Sequence, residues 1–311
     1  MGSDRLWTAA LSGLILPAGA KGVCSTLGMR SPPEPKKEGT MGRARIEVVR
    51  SVIWQMTSTI VVCGPSALVV DPGVFPAEAE AIRRRIPAGV RVEALVFTHH
   101  HWDHVVGHFA FPGVPVYASS TLVRAVAEQG ALAREALEEA RRHDGEWYVE
   151  RPGGYRWPED LRGLEDGFHF NVGDLDVEVL GLPGHAPDAI GLRAEETLIV
   201  GDYLSPLEIP FVDDLEAYRR TLRRLLALSA AGVERVIPGH GPPLTAEEAR
   251  RIGREDLGYL DALARCRVPG DAEAALRIRL PRASKVPGMA GHHRENCRRA
   301  GWVIPADGSG G

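Results

Sequence analysis

An α/β layered fold is what this sequence predicts, on three observations. Short β-branched runs come in two groups along the chain, and each group gives way to longer segments of helical character. Hydrophobic residues are 44% and charged residues 25% of the 311 positions, an ordinary balance for a chain that buries a substantial core. Several of the predicted strands end in sharp Gly/Pro turns, which suits a sheet that presents its strand ends to a site.

Strand patterning starts just after residue 43, with runs at 46–50, 60–63 and 67–70, the last following a Gly64-Pro65-Ser66 turn. Asp71-Pro72-Gly73 closes this meander, and 78–86 reads as a helix. A buried strand is predicted at 92–97, another at 114–117, then one helix over 119–142 with Ser119 or Ser120 as N-cap. Residues 144–166 carry Trp147, Tyr148, Tyr155 and Trp157 without a clean period, and read either as a lid over a site or as a packed insertion. Strands resume at 168–171, 175–180, 190–193, 197–200 and 234–237, with a helix at 213–229 capped by Asp213 or Asp214 and another at 246–266. A helical extension is expected over 251–311, after a principal domain at 43–250.

Residues 1–42 read as a disordered leader or the product of a mis-assigned start, Pro32, Pro33 and Pro35 marking linker-like sequence. The alternative is a signal peptide over 1–20, with Ala18-Gly19-Ala20 as cleavage site, which would make the protein exported; Ser12, Gly13 and Pro17 interrupt its apolar run. A net charge of -4, with four lysines, provides no electrostatic footprint for nucleic acid, so the expected partner is a small-molecule substrate. No apolar run approaches the ~20 residues of a membrane span. Cys24, Cys63, Cys266 and Cys297 are scattered without a CxxC pair, which is read as reduced thiols and a cytoplasmic location.

The chemistry gathers after the 92–97 strand, in Thr98-His99-His100-His101-Trp102-Asp103-His104. In an extended chain, residues two apart point the same way at about 6.6 Å, so His99 and His101 can converge on one ion. Straight continuation would carry Asp103 about 13 Å from His99, so the chain must curl or Asp103 and His104 must serve a second ion. Three further candidates end predicted strands beside a glycine: His185 in Leu182-Pro183-Gly184-His185, Asp202 in Val200-Gly201-Asp202, and His240 in Pro238-Gly239-His240-Gly241.

The set His99-x-His101-x-Asp103-His104, His185, Asp202 and His240 resembles the metallo-β-lactamase superfamily over about residues 45–245, and all seven positions match its motifs in order and spacing. The resemblance implies a four-layer αββα sandwich with a short helical C-terminal extension and a dinuclear centre. One ion would be held by His99, His101 and His185 and the other by Asp103, His104 and His240, with Asp202 bridging them together with a hydroxide. Two zinc ions per chain are implied, iron or manganese being compatible with the same donors. Asp at 202, rather than the Cys of many true β-lactamases, favours the branches that hydrolyse thioesters, esters and lactones, of the glyoxalase-II-like kind. Phosphodiesterase or RNase action and a mononuclear iron persulfide dioxygenase are the alternatives. His101 stands where diiron flavoproteins carry Glu, Val105-Val106 is bulkier than usual, and Ala186-Pro187-Asp188 replaces the usual turn after the third histidine.

Around this set, Asp103 is expected to orient the nucleophile, and Tyr203, next to Asp202, to touch the substrate oxygen as a catalytic group or else to be a buried structural residue. Asp71 is a turn residue or a brace for the metal loop. His100 and Trp102 are expected to point away from the ions, and His108, His143 and His169 to be ordinary. His292 and His293, beside Arg294, Arg298 and Arg299, read as a solvated basic helix face, with anion recognition as the alternative.

Overall fold

The two β-rich regions become two six-stranded sheets in the computed structural model, which describes residues 43–267, 271–282 and 288–302. The expectations for 1–42 therefore lie outside the described residues. The first sheet runs in order β1 (Arg45–Arg50), β2 (Thr57–Cys63), β3 (Ser66–Val70), β4 (Arg91–Val96), β5 (Val116–Ser119) and β6 (Leu161–Leu164). Its first three strands form the antiparallel meander; β3 to β6 are parallel and need crossovers, each of which carries a helix. The second sheet holds β7 (His169–Val172), β8 (Leu175–Gly181), β9 (Ile190–Ala194), β10 (Thr197–Ile199), β11 (Arg235–Ile237) and β12 (Leu244–Thr245), antiparallel except for the β10–β11 pair.

Helices cover the outer faces. On the first sheet, Ile82 of α1 (Pro76–Arg85), Leu122 of α3 (Ser120–Ala127) and Ala140 of α4 (Ala131–Trp147) join Ile60, Val69 and Leu95 in one buried cluster. On the second, Leu222 of α5 (Leu215–Ser229), Ile252 of α6 (Ala246–Arg267), Ala275 of α7 (Ala272–Leu276) and Cys297 of α8 (Met289–Arg299) pack with Leu180 and Val236. The order helix, sheet, sheet, helix is the αββα sandwich. Each fully buried Leu or Ile contributes roughly 1.5–3 kcal/mol. Among the described residues, no helix is long and apolar enough to cross a membrane.

Three local departures from the sequence reading have physical causes. The single helix expected over 119–142 is two helices, and the second continues to Trp147. Gln129 takes a left-handed φ of 51°, and the Gly130 N–H donates to the Ala125 carbonyl at 2.8 Å, a Schellman-type stop. The stretch after Trp147 packs as an insertion on the first layer instead of forming a lid. Arg151, buried, donates to both Asp144 carboxylate oxygens at 2.8 and 2.9 Å and to the Val74 carbonyl at 2.9 Å, and the Trp157 indole donates to Ala133 O at 3.0 Å. Residues 161–164 then pair with β5 as β6, a strand the sequence reading lacks, as it lacks β12. The boundary expected at 250 falls inside α6. Where the N-cap was left between two residues, Ser119 caps α3 by accepting from Leu122 N at 3.1 Å, and Asp214 caps α5 by accepting from Ala217 N at 2.8 Å.

Candidate metal centre

Every candidate ligand lies just beyond the C-terminal end of a strand, or in the helical turn that follows it. His99 and His101 follow β4, Asp103 and His104 fall in α2 (Trp102–Val105), and His185, Asp202 and His240 follow β8, β10 and β11. The curl at α2 is what brings Asp103 and His104 back toward His99. Backbone bonds between neighbouring loops hold these ends together: Ile190 N donates to Thr98 O at 2.8 Å, Gly239 N to Gly201 O at 2.5 Å and Thr57 N to Gly239 O at 2.7 Å.

Two glycines are required by this closeness. A Cβ on Gly239 would stand 2.0 Å from Asp202 Oδ1 and 2.9 Å from the Gly201 carbonyl carbon. A Cβ on Gly184 would meet the Tyr218 backbone nitrogen at 2.2 Å, and its φ of +131° is one that other residues rarely adopt.

The side chains sort into two donor sets, His99, His101, His185 and Asp202 in one and Asp103, His104 and His240 in the other, with the ligand atoms of each set within 4.8 Å of one another. In the first set, His99 Nε2 lies 3.0 Å from His101 Nδ1 and 3.3 Å from His185 Nε2, and His185 Nε2 lies 3.0 Å from His101 Nδ1. In the second, Asp103 Oδ2 lies 3.6 Å from His104 Nε2 and 3.5 Å from His240 Nε2. Asp202 stands between them. Its Oδ2 is 3.3 Å from His185 Nε2 and 3.4 Å from His240 Nε2, and its Oδ1 is 3.2 Å from His104 Nε2.

The outer nitrogens explain why the inner ones face inward as acceptors. His104 Nδ1 bonds Asp71 Oδ2 at 2.8 Å, His185 Nδ1 bonds Phe211 O at 3.1 Å, and His240 Nδ1 bonds Trp54 O at 3.1 Å. A carbonyl or carboxylate accepts only, so each Nδ1 carries the proton and each Nε2 keeps its lone pair for a metal. His99 Nδ1 lies 3.0 Å from the Thr98 hydroxyl, which itself donates to Asp71 Oδ2 at 2.7 Å. Asp71 is thus the brace as well as the turn residue. Its left-handed φ of 49° and its bond from Thr98 N at 2.8 Å tie β3 to the start of the ligand loop.

The electrostatics fit cations. Burial, with the charge of His104 next, drives His99 well below the ordinary histidine range; burial and then His185 do the same to His101. Burial also lowers His185. Burial opposes charge on His104 and His240, but Asp202 and neighbouring carboxylates outweigh it, raising His104 well above the usual value and His240 to about 10. Asp202 is held well below the usual carboxylate range because His240, His104, His99 and His185 together overcome its burial. His104 Nε2 and Asp202 Oδ1 are buried with no hydrogen-bond partner, a costly arrangement that a coordinated ion resolves. The two groups of imidazoles and carboxylates therefore have the chemistry of divalent-metal ligands.

Tyr203 stands apart from this centre's open face. Its hydroxyl donates to Leu182 O at 2.7 Å and accepts from His185 N at 2.8 Å, and the side chain is buried against Tyr218. The phenol is engaged behind His185, the arrangement of a buried structural tyrosine. Burial raises its ionisation far above the usual tyrosine value. His100 turns away onto Asp188 at 2.7 Å, and Trp102 stacks on His143 with ring centroids 4.3 Å apart. His293 is not on a solvated face. It is buried, bonded to the Tyr259 hydroxyl at 2.8 Å and to Ala275 O at 3.0 Å, while Arg298 and Arg299 pair with Glu295.

Phe211, Glu208 and Trp54, whose carbonyl accepts from His240, escaped the sequence reading. Phe211 acts through its carbonyl, which no side-chain pattern reveals. Glu208 lies in the Pro206–Pro210 stretch after Asp202, half-buried; burial lifts its carboxyl to about 7, His240 opposing and Asp202 and Asp103 adding to the rise. Its only sequence signal is an acidic residue between two prolines, downstream of a ligand.

The chain belongs to the metallo-β-lactamase superfamily, whose sequence model matches residues 53–240. Among curated relatives it is 30% identical over 138 residues to the hydroxyacylglutathione hydrolase of Aeromonas hydrophila, covering 44% of this chain and 42% of that enzyme. It is 28% identical over 209 residues to an acyl-coenzyme A thioesterase of Gallus gallus, covering 61% of this chain and 73% of that protein. A metallo-β-lactamase family protein from Thermus thermophilus shares the fold at a TM-score of 0.56 and 21% identity, over 83% of this chain and 94% of that one. The chain thus spans less than half the length of the first of these relatives.

Proposed function

We propose that the chain is a dinuclear metal-dependent hydrolase that cleaves a thioester, ester or lactone of a small molecule. The observation that carries this reading is the pair of donor sets joined by Asp202, complete in all seven residues. His99, His101 and His185 would hold one ion, Asp103, His104 and His240 the other, and Asp202 would bridge them. Two bound ions supply Lewis acidity and bring water to a reactive state near neutral pH, so the site needs no Ser or Cys nucleophile. Zinc suits these donors, and iron or manganese is compatible with the carboxylate bridge.

The protein's own contribution is orientation. Asp103 turns Oδ2 toward His104 and His240, and its carboxylate would accept a hydrogen bond from the attacking water. Asp71 and the Phe211 and Trp54 carbonyls hold the imidazoles in the tautomer that ligates. The second donor set is intact and buried, which favours two ions over the single iron of a persulfide dioxygenase. Similarity to a hydroxyacylglutathione hydrolase and an acyl-coenzyme A thioesterase favours acyl substrates over phosphodiesters.

The test is turnover of a panel of thioesters, esters, lactones and bis(p-nitrophenyl) phosphate by zinc-loaded protein, alongside Asp202→Ala. The proposal expects acyl hydrolysis that Asp202→Ala abolishes together with metal loading. Phosphodiester turnover well above the acyl panel, or acyl turnover retained by Asp202→Ala, would overturn it.

A further inference from the structure

The C-terminal helix α8 lies outside residues 53–240, yet it reaches the segment that holds a metal ligand. Asn296, buried, accepts from Val212 N at 2.9 Å and donates to Pro210 O at 2.7 Å, so its side-chain amide brackets the peptide on each side of Phe211. The Phe211 carbonyl between them is the acceptor for His185 Nδ1 at 3.1 Å. One turn earlier on α8, the His292 ring lies on the Phe211 ring, with centroids 4.0 Å apart. Arg282, tied to buried Asp256, donates to Glu208 O at 3.0 Å and holds the start of the same segment. At its other end, Asp213 N and Asp214 N both donate to Gly184 O, at 2.9 and 3.0 Å, next to His185.

We infer that Asn296 is a positioning residue for His185: by fixing the 210–212 backbone it aims the Phe211 carbonyl that sets the tautomer and direction of this ligand. The inference rests on the proposed use of the two donor sets for metal, and it assigns the C-terminal extension a part in metal affinity. An amide suits the task because its donor and acceptor sit on separate atoms that reach Pro210 O and Val212 N at once, which a single shorter hydroxyl cannot do. Without it the segment keeps its sequence but not its register, and His185 loses the acceptor that holds its Nδ1 proton. Such supporting bonds to a ligating histidine change metal affinity by about 10- to 100-fold. The effect should fall on one donor set only, since His104 and His240 of the other set take their support from Asp71 and Trp54.

The experiment is a stepwise zinc titration of metal-free full-length protein against a chromophoric chelator. Asn296→Ser, His292→Ala and Tyr259→Phe are compared with the parent chain. Tyr259→Phe removes the hydroxyl that also accepts from Asn296, at 3.0 Å, without touching the 210–212 peptides, so it reports damage to the buried cluster alone. Asn296→Ser is expected to weaken one of two zinc equivalents about 10- to 100-fold and leave the other unchanged. His292→Ala, at a half-buried position that tolerates truncation, should weaken the same equivalent to a smaller extent. Tyr259→Phe should lower thermal stability and leave both affinities as they are. Unchanged binding in Asn296→Ser, or equal losses at both equivalents, would overturn the inference; should that variant fail to fold, unchanged binding in His292→Ala does so. A parent chain that binds no zinc would instead refute the proposed function.

Discussion

Asp71→Asn isolates the brace behind the second donor set. The substitution preserves shape, and Asn tolerates the left-handed φ of 49°, so it adds no backbone strain. The native carboxylate accepts from Thr98 N at 2.8 Å and Thr98 Oγ1 at 2.7 Å, and from His104 Nδ1 at 2.8 Å. An amide has one oxygen to offer. With its NH2 toward His104, the imidazole can bond only as an acceptor at Nδ1, which moves the ring proton to Nε2 and removes the lone pair a metal needs. With the amide reversed, the buried Thr98 N–H loses its acceptor, at a cost of about 1–3 kcal/mol. The first orientation should weaken one zinc equivalent about 10- to 100-fold in a chelator-competition titration, and the second should leave affinity as it is and show only as lost stability. Urea unfolding of the metal-free protein should record the stability loss. Wild-type affinity at both equivalents together with unchanged stability would refute the assignment of Asp71 as the support of His104 and Thr98.

Tyr203→Phe should cost about 1–3 kcal/mol in urea unfolding, because it strands the Leu182 carbonyl and the His185 N–H, while kcat stays within a few-fold; a loss of several hundred-fold in kcat at full metal loading would restore a chemical role. Gly239→Ala drives a methyl into Asp202 and the Gly201 backbone, so the variant should fail to load metal by elemental analysis even where circular dichroism shows a folded protein. Glu208→Gln tests the pH dependence of the metal-free chain. The folded-state value of about 7 lies above the ordinary 4.5, so the stability linked to Glu208 is fully present below pH 4.5 and lost as pH rises through 7. The stability of Glu208→Gln minus that of wild type should therefore grow by roughly 3 kcal/mol across that window; a flat difference would show that the carboxyl is not perturbed.

The candidate ligands were legible because they are announced locally, His99 to His104 by their spacing after a strand and His185, Asp202 and His240 by a glycine at a strand end. Their division between two ions was implied by the family resemblance; the rise of an extended chain left open a curl or a second ion, and α2 supplies the curl. The supports were less legible, because they act across the fold. Tyr203 sits beside Asp202 in sequence, and that adjacency suggested chemistry; burial against Tyr218 turned its hydroxyl to Leu182 instead. Asn296 and Phe211 are 85 positions apart and meet only when α8 packs on the second sheet, and Phe211 contributes a carbonyl that every residue possesses. The helix break at Gly130 shows the same limit in miniature: the glycine was visible, but Gln129 in a left-handed conformation was not.

The claim on which everything else depends is that these seven side chains hold two ions. Elemental analysis of the purified chain, reconstituted with zinc and compared with Asp202→Ala and His240→Ala, measures it directly. The account predicts two equivalents per chain, one or fewer for His240→Ala and near none for Asp202→Ala. A reconstituted parent chain with one equivalent or none, or two equivalents retained in Asp202→Ala, would contradict it.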